Sequence, residues 1–177
     1  KVICKDKNKF DIGVAKDIMS KSLNKNYYYI AREWPYKNVR PRIIGEKYLV
    51  DDSGIELKDY KFMCFNGKVK CSFVCLNRNS ESGLNVDFYD MNWRPMHFER
   101  HYKNSGTIVP KPVNFEKMIR FSEKLSQGLP FVRVDFYESN GHLFFGELTL
   151  YPGGGFEEFN PESYDFLLGS WIDLFLQ

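Results

Sequence analysis

The segment from Phe131 to Leu150 constrains the fold most, because apolar and charged residues alternate on both sides of a short turn. Apolar residues at every second position predict two strands with one shared buried face. These residues are Val132, Val134, Phe136, Phe144, Leu148 and Leu150. The two sets share a face only if the loop has an odd number of residues, so we predict a three-residue loop, Ser139-Asn140-Gly141, that ends in a left-handed glycine.

This register gathers polar side chains on the opposite face of the hairpin. We expect Arg133 directly across from Glu147, Asp135 diagonal to Glu147, and Thr149 next along the strand. Two neighbouring carboxylates suit Mg²⁺, which prefers oxygen ligands, and the glycines at 153–155 add backbone access. The alternative is a surface cluster of salt bridges with a purely structural role.

A second hairpin is predicted around Asn66-Gly67, because this dipeptide favours a two-residue turn. The turn would pair Phe65 with Lys68. In that register one face is apolar and comprises Tyr60, Phe62, Cys64, Val69, Cys71, Phe73 and Cys75. The other face is charged and comprises Asp59, Lys61, Lys68 and Lys70.

Periodicity and turn signals predict the remaining elements. We expect a strand at 1–4, a helix at 11–25, a short strand around Ile43 and Ile44, a strand within 85–93, a helix capped by Asn114 and ended by Gly128, and a closing helix over 160–177 capped by Asn160.

Composition excludes several classes of protein. The 177 residues fit one domain or two small lobes. The net charge of +2 argues against a dedicated nucleic-acid binder. The four cysteines form no CxxC pair, which argues against a zinc ribbon or a disulfide framework and favours a reducing cytoplasm. Since no apolar run is long enough, we expect no membrane span.

The predicted hairpin from Phe131 to Leu150 resembles the magnesium hairpin of the ATP-grasp ligases. In that family Arg-x-Asp lies on one strand, Glu-x-Asn on the next, and a Pro-Gly loop follows, and this chain reads "RVDF…GELTLYPGGG". The sequence "IIGEKYL" resembles the family's hinge, and "DYKFMCFNGKV" resembles the strand after it. Thr149 stands where many members have Asn.

Within that superfamily the chain resembles the TupA-like branch, which acts in teichuronopeptide and polysaccharide biosynthesis. The resemblance rests on "ICKDKNKFD", "REWPYKN", "PRIIGEKYL" and "GELTLYPGGGFEEFNP". It implies an α+β ATP-grasp fold with two lobes built on antiparallel sheets and a nucleotide site between them. Residues 1–48 would be the C-terminal part of the small lobe, and residues 49–177 the large lobe. We expect the family's upstream lysine and glycine-rich loop to lie before this sequence.

The resemblance implies an ATP- and Mg²⁺-dependent ligase that forms a C–N bond through an acyl phosphate and releases ADP. It assigns catalytic roles to Arg133 and Lys61, adenine binding to Glu46, Lys47, Tyr48 and Leu49, ribose binding to Asp59, and Mg²⁺ binding to Asp135, Glu147 and Thr149. The implied substrates are a carboxylate on a polysaccharide precursor and an amine such as an amino acid. A glycosyltransferase is an implied partner.

Three other interpretations of the sequence stay open. A non-catalytic module could bind carbohydrate or nucleic acid through Lys61, Lys68, Lys70 and exposed aromatic residues. The Thr149 difference, together with a sequence that starts after the family's lysine and glycine-rich loop, leaves room for a degenerate pseudo-enzyme. His97 and His101 have the i, i+4 spacing of zinc ligands, but the sequence offers no evident third ligand.

Overall fold

The computed structural model describes residues 1–50, 57–78, 80 and 83–175. The chain forms two compact units, residues 1–49 and residues 50–177. The assignment of residues 1–48 and 49–177 to the small and large ATP-grasp lobes stays a prediction.

The first unit is helical. It contains α1 (Ile12–Leu23), α2 (Tyr28–Ala31) and short 3-10 turns at Lys7–Lys9 and Trp34–Tyr36. Helix α1 begins where the carboxylate of Asp11 accepts a hydrogen bond from the Val14 backbone N–H at 2.9 Å, which satisfies one of the free donors of the first turn. The predicted first helix is therefore confirmed.

The two strands predicted for the first unit are wrong. Residues 1–4 and the segment around Ile43 and Ile44 form no strand in the structure. A strand exists only where a neighbouring strand pairs with its backbone groups, and the described residues of this unit contain no such pair. A short apolar run alone could not reveal this.

The second unit is built on a six-stranded antiparallel sheet with the strand order β4-β3-β2-β1-β6-β7. Its strands are β1 (Asp59–Phe65), β2 (Lys68–Leu76), β3 (Asn85–Tyr89), β4 (Pro95–Met96), β6 (Phe131–Ser139) and β7 (His142–Thr149). A separate two-stranded ribbon comprises β5 (Glu99–Arg100) and β8 (Phe159–Asn160), and the helices are α3 (Phe115–Leu125) and α4 (Ser163–Gly169). The predicted α+β class with antiparallel pairing and the strand within 85–93 are confirmed.

The β1–β2 hairpin has the predicted turn but not the predicted faces. Phe65 pairs with Lys68, as expected, but the register shifts so that Cys64 pairs with Val69 and Met63 pairs with Cys71. The extra residue on β2 moves all later side chains to the opposite face. Cys71, Phe73 and Cys75 therefore lie with Met63 and Phe65, away from Tyr60.

Both faces of the sheet are covered by apolar residues. One core packs against α3 and includes Phe62, Val134, Phe136, Phe115 and Met118. The other lies on the opposite face and includes Phe65, Phe73, Phe88, Phe98 and Leu168. Strand β1 is buried along its whole length, so Asp59 and Lys61 lie inside the protein, whereas the sequence placed them on a charged outer face.

The ends of the last two helices differ from prediction. Asn114 precedes α3, but its amide donates to Glu138 Oε1 and to the Gly141 carbonyl, both at 2.9 Å, and does not cap the helix. The predicted helix over 160–177 is shortened to α4, and Asn160 lies in β8. After α4, the side chain of Asn66 pairs with both backbone groups of Asp173, which holds that segment in a non-helical path.

We predict that Phe62→Ala lowers the free energy of unfolding by about 3–5 kcal/mol, the usual cost of deleting a buried phenylalanine ring. Phe62 is fully buried on the central strand and contacts the rings of Phe115 and Phe136. Urea denaturation measures the effect. Phe156→Ala is the matched control, because Phe156 is 90% exposed, and an equal loss in both variants would contradict this core.

Candidate functional site

The polar residues of the β6–β7 hairpin cluster as predicted, but the register of the two strands differs from the predicted one. Its turn has two residues, with Ser139 paired with His142, and both Asn140 and Gly141 have positive φ, as a tight hairpin turn requires. The predicted three-residue loop is wrong. Farther along, Arg133 pairs with Thr149 instead of Glu147.

Because of a bulge on β7, Glu147 and Thr149 lie on the same face as Arg133 and Asp135, as predicted. Val134 pairs with Leu148 and Phe136 with Phe145, so Gly146 and Glu147 together oppose Asp135. A Cβ at Gly146 would lie 3.1 Å from the Asp135 carbonyl oxygen, closer than nearly all such contacts. A glycine therefore lets β7 approach β6 at the bulge.

Phe144 and Leu148 are not buried as predicted. Phe144, which pairs with Tyr137, is 36% exposed, and Leu148 is 39% exposed. The cause is that β7 is the edge strand of the sheet and has a neighbour on one side only.

Arg133 is the centre of the candidate site. Its guanidinium donates two hydrogen bonds of 2.7 Å to the two carboxylate oxygens of Asp135. The same group donates to Glu147 Oε1 at 3.0 Å and to Thr149 Oγ1 at 2.8 Å. The structure thus brings together all four polar residues that the sequence singled out on this hairpin.

Strand β1 adds two more predicted residues. Lys61 is paired with Asp135 across the two strands, and its ammonium contacts Asp135 Oδ2 and lies 2.8 Å from Asp59 Oδ2. Arg78 contacts the same Asp59 oxygen at 3.0 Å. We call the resulting alternation of charge the ion-pair ladder; its members are Arg78, Asp59, Lys61, Asp135, Arg133 and Glu147.

The middle of the ion-pair ladder is buried and its ends are exposed. The side chains of Asp59, Lys61, Arg133 and Asp135 are less than 10% exposed. Glu147 and Arg78 are 64% and 46% exposed. Since desolvating unpaired charges is costly, the buried members depend on one another, whereas Glu147 can interact with a ligand.

Burial shapes the electrostatics of the ladder. It raises the pKa of Asp59, an effect that Lys61 partly offsets. Burial, together with the charges of Asp59 and Asp135, raises the pKa of Tyr137 to about 12. Burial alone would lower the pKa of Arg133, but the hydrogen bonds and charge of Asp135 outweigh that effect and leave the pKa raised.

One oxygen of the ladder, Asp59 Oδ1, accepts no hydrogen bond from the part of the chain that the structure describes. Asp59 Oδ1 is buried and has no hydrogen-bond partner among the described residues, while Oδ2 contacts Lys61 and Arg78. A buried acceptor without a donor is costly, so this oxygen suits a donor supplied by a ligand.

The predicted adenine-binding residues lie in the first unit. Glu46, Lys47, Tyr48 and Leu49 form an irregular segment there, and Lys5 Nζ lies 5.6 Å from the centre of the Tyr48 ring. Their role in binding adenine stays a prediction.

Sequence reasoning missed two residues next to the cluster. Arg78 lies beyond β2 in a stretch without periodicity, so the sequence carried no signal for it. Tyr137 follows Asp135 at the alternating spacing of β6, and this spacing could have placed it on the same face as the charges.

The side-chain oxygens of Glu147, Thr149 and Asp135 are of the kind that binds a Mg²⁺ ion carried by a nucleotide. Such ions usually take one or two protein carboxylates and complete their shell with phosphates and water. Glu147 Oε1 and Thr149 Oγ1 lie 3.4 Å apart at the exposed end of the ladder, beside Asp135. Among the described residues no group of three or more His, Cys, Asp or Glu could hold a metal, and this applies also to His97 and His101.

A comparison with protein families identifies the chain. A family model described as TupA-like ATPgrasp matches residues 1–173. The chain belongs to this family. No curated protein and no solved structure matches the chain. The predicted resemblance is thus confirmed.

Membership in the TupA-like ATPgrasp family suggests an ATP-grasp type of function and a ligase-like enzyme. ATP-grasp proteins generally use ATP and Mg²⁺. The mixed architecture with a large antiparallel sheet is consistent with a domain of this family. Within the described part of the chain, no helix has the length and apolar character needed to cross a membrane.

We predict that Asp135→Asn lowers the free energy of unfolding by about 3–5 kcal/mol, because it leaves Lys61 and Arg133 buried without their shared counter-charge. Glu147→Gln removes an exposed partner and is expected to cost only about 0–1 kcal/mol. Urea denaturation of both variants provides the comparison. Equal costs would contradict the division of the ladder into a buried middle and an exposed end.

We predict that stability falls between pH 10 and pH 12 partly through Tyr137. A folded-state pKa of about 12, above the ordinary value of 10.0, contributes stability below pH 10 that is lost as the pH rises through 12. Tyr137→Phe should therefore show a shallower alkaline decline in urea midpoint. Tyr29→Phe, whose ring is 64% exposed, is the control, and parallel declines for Tyr137→Phe and wild type would contradict the prediction.

Proposed function

We propose that this chain is an ATP- and Mg²⁺-dependent carboxylate–amine ligase that acts through an acyl phosphate. The observation that carries the proposal is the position of Arg133, which Asp135 holds at two points while Glu147 and Thr149 bind it from the edge strand. Groups oriented in advance stabilise developing charge without reorganisation cost.

In the proposed first step, a substrate carboxylate oxygen attacks the γ-phosphorus of ATP, the bond to the bridging oxygen breaks, and ADP leaves. Arg133 stabilises the charge on the transferred phosphoryl group. Lys61, which contacts the same Asp135 carboxylate as Arg133, adds a second positive charge near that group. In the second step, an amine nitrogen attacks the acyl carbon, phosphate leaves, and the nitrogen loses a proton as the amide forms.

The remaining assigned residues would hold the nucleotide and the metal. Glu147 and Thr149, together with Asp135, would bind Mg²⁺, which supplies charge neutralisation at the β- and γ-phosphates. Asp59 Oδ1, which no described residue pairs with, supports the ribose role, because it can accept a hydrogen bond from a sugar hydroxyl. The segment 46–49 would bind adenine.

The substrate assignment rests on likeness to the family. We propose a sugar-acid carboxylate on a cell-surface polysaccharide precursor, an amine such as an amino acid, and a glycosyltransferase as partner. The four cysteines without disulfides support a cytoplasmic site of action.

A second candidate is a degenerate ATP-grasp domain or a non-catalytic binding module. The observation that favours it is the pairing of Asp135 with both Arg133 and Lys61, which satisfies this carboxylate without a metal. In that case the ion-pair ladder would serve stability alone.

A melting experiment tests the ligase proposal, and we predict a rise of several degrees with ATP plus Mg²⁺ relative to ATP plus EDTA. A ligand at a hundred times its dissociation constant adds about 2.7 kcal/mol, and each kcal/mol shifts the melting temperature by about 2–4 °C in a chain of this size. The protein should be measured in its natural full-length form.

Glu147→Gln should lose this magnesium-dependent rise. The control is Glu116→Gln, because Glu116 is also exposed and ion-paired, with Lys111 at 2.9 Å, but lies on α3. A rise that persists in Glu147→Gln would contradict the assigned metal position. No rise in the wild type under any condition would favour the second candidate.

A further inference from the structure

The first unit contains a segment, residues 26–37, whose fold is fixed by its own hydrogen bonds. The amide of Asn26 donates to the Lys37 carbonyl at 3.0 Å and so joins the two ends of the segment. The Tyr27 hydroxyl donates to Glu33 Oε1 at 3.0 Å, and Glu33 is only 6% exposed. These contacts hold the intervening side chains in defined positions.

The segment presents aromatic rings and cations to solvent. We call this the aromatic–basic surface; its members are Tyr28, Tyr29, Arg32, Trp34 and Lys37. Tyr29 and Trp34 are each 64% exposed. Both rings stand steeply against Tyr28, at 71° and 81°, so each meets the Tyr28 ring edge to face.

Two cations lie against these rings. The Arg32 guanidinium carbon is 5.9 Å from the ring centres of Tyr28 and Tyr29. Lys37 Nζ is 4.5 Å from the ring centre of Trp34 and 5.4 Å from that of Tyr28. Cation–π contacts of this kind position positive charge beside an apolar ring.

Charge is distributed unevenly along the chain. Residues 1–49 contain 12 Lys and Arg against 5 Asp and Glu, a net charge of +7, whereas the remaining residues carry 13 against 18, a net charge of −5. The field around the aromatic–basic surface therefore favours an anionic ligand.

We propose that the aromatic–basic surface binds a sugar-acid residue of an anionic carbohydrate. The apolar face of the sugar ring would pack on Tyr29 and Trp34, and its carboxylate would pair with Arg32 and Lys37. The choice of a sugar acid rests on the proposed function. A single-stranded nucleic acid stacks successive bases on successive rings. The rings of Tyr29 and Trp34 each stand steeply against Tyr28 and do not continue its plane as one stacking platform, which favours a single sugar ring.

The test is the binding of oligogalacturonate to the full chain, measured by calorimetry without ATP. Trp34→Ala and Arg32→Ala should each weaken binding by roughly tenfold, the loss that one stacking or charge contact commonly produces. Lys16→Ala removes one charge from α1 in the same unit and should leave binding nearly unchanged. Circular dichroism checks that each variant folds.

Other outcomes would overturn the proposal. These are no binding of oligogalacturonate by the wild type, equal loss in Lys16→Ala, or equally tight binding of a neutral maltooligosaccharide. Preferential binding of single-stranded DNA or of anionic lipid vesicles would assign the surface to another ligand. Because the magnesium-dependent melting shift with ATP depends on Glu147 and not on Trp34, failure here is distinguishable from failure of the ligase proposal.

Discussion

The two-point ion pair between Arg133 and Asp135 is the interaction on which the second unit and its candidate site both depend. It lies where the paired strands β1 and β6 adjoin, with β7 on the outer side. Asp135 is fully buried, so its charge is tolerable only because Arg133 and Lys61 neutralise it. The same pairs fix the guanidinium that we assign to phosphoryl transfer. The residues in the middle of the ladder thus serve both stability and the proposed chemistry. Only Glu147 is expected to serve the chemistry with little effect on stability.

The sequence predicted the polar cluster correctly although the predicted register was wrong. A three-residue loop would have paired Arg133 with Glu147, and the observed turn and bulge pair it with Thr149, a displacement of two residues. Because side chains alternate with a period of two, this displacement leaves the same side chains on the same face. Nearer the turn the displacement is one residue, and there Phe144 was placed on the wrong face.

Bulges and burial account for most of what the sequence did not reveal. The bulge opposite Asp135 and the shift beside Met63 lie within hairpins of neighbouring strands, but alternation of apolar residues does not show where one strand takes an extra residue. Because both faces of the sheet are covered, Lys61 and Asp59 are buried where alternation suggested an outer face. The turn at Asn66-Gly67 was predictable, because two positive φ angles restrict that position to few residue types.

Calorimetric titration of ATP and of AMP, each with Mg²⁺, tests the central claim that the ion-pair ladder of a TupA-like ATPgrasp protein binds the phosphates of a nucleotide. AMP retains adenine and ribose but lacks the β- and γ-phosphates that Arg133 and Lys61 would contact and whose charge the Mg²⁺ held by Glu147 would neutralise. The account predicts that ATP binds at least roughly tenfold more tightly than AMP, a difference of about 1.4 kcal/mol. Equal affinity for the two nucleotides, or no binding of ATP, would contradict it.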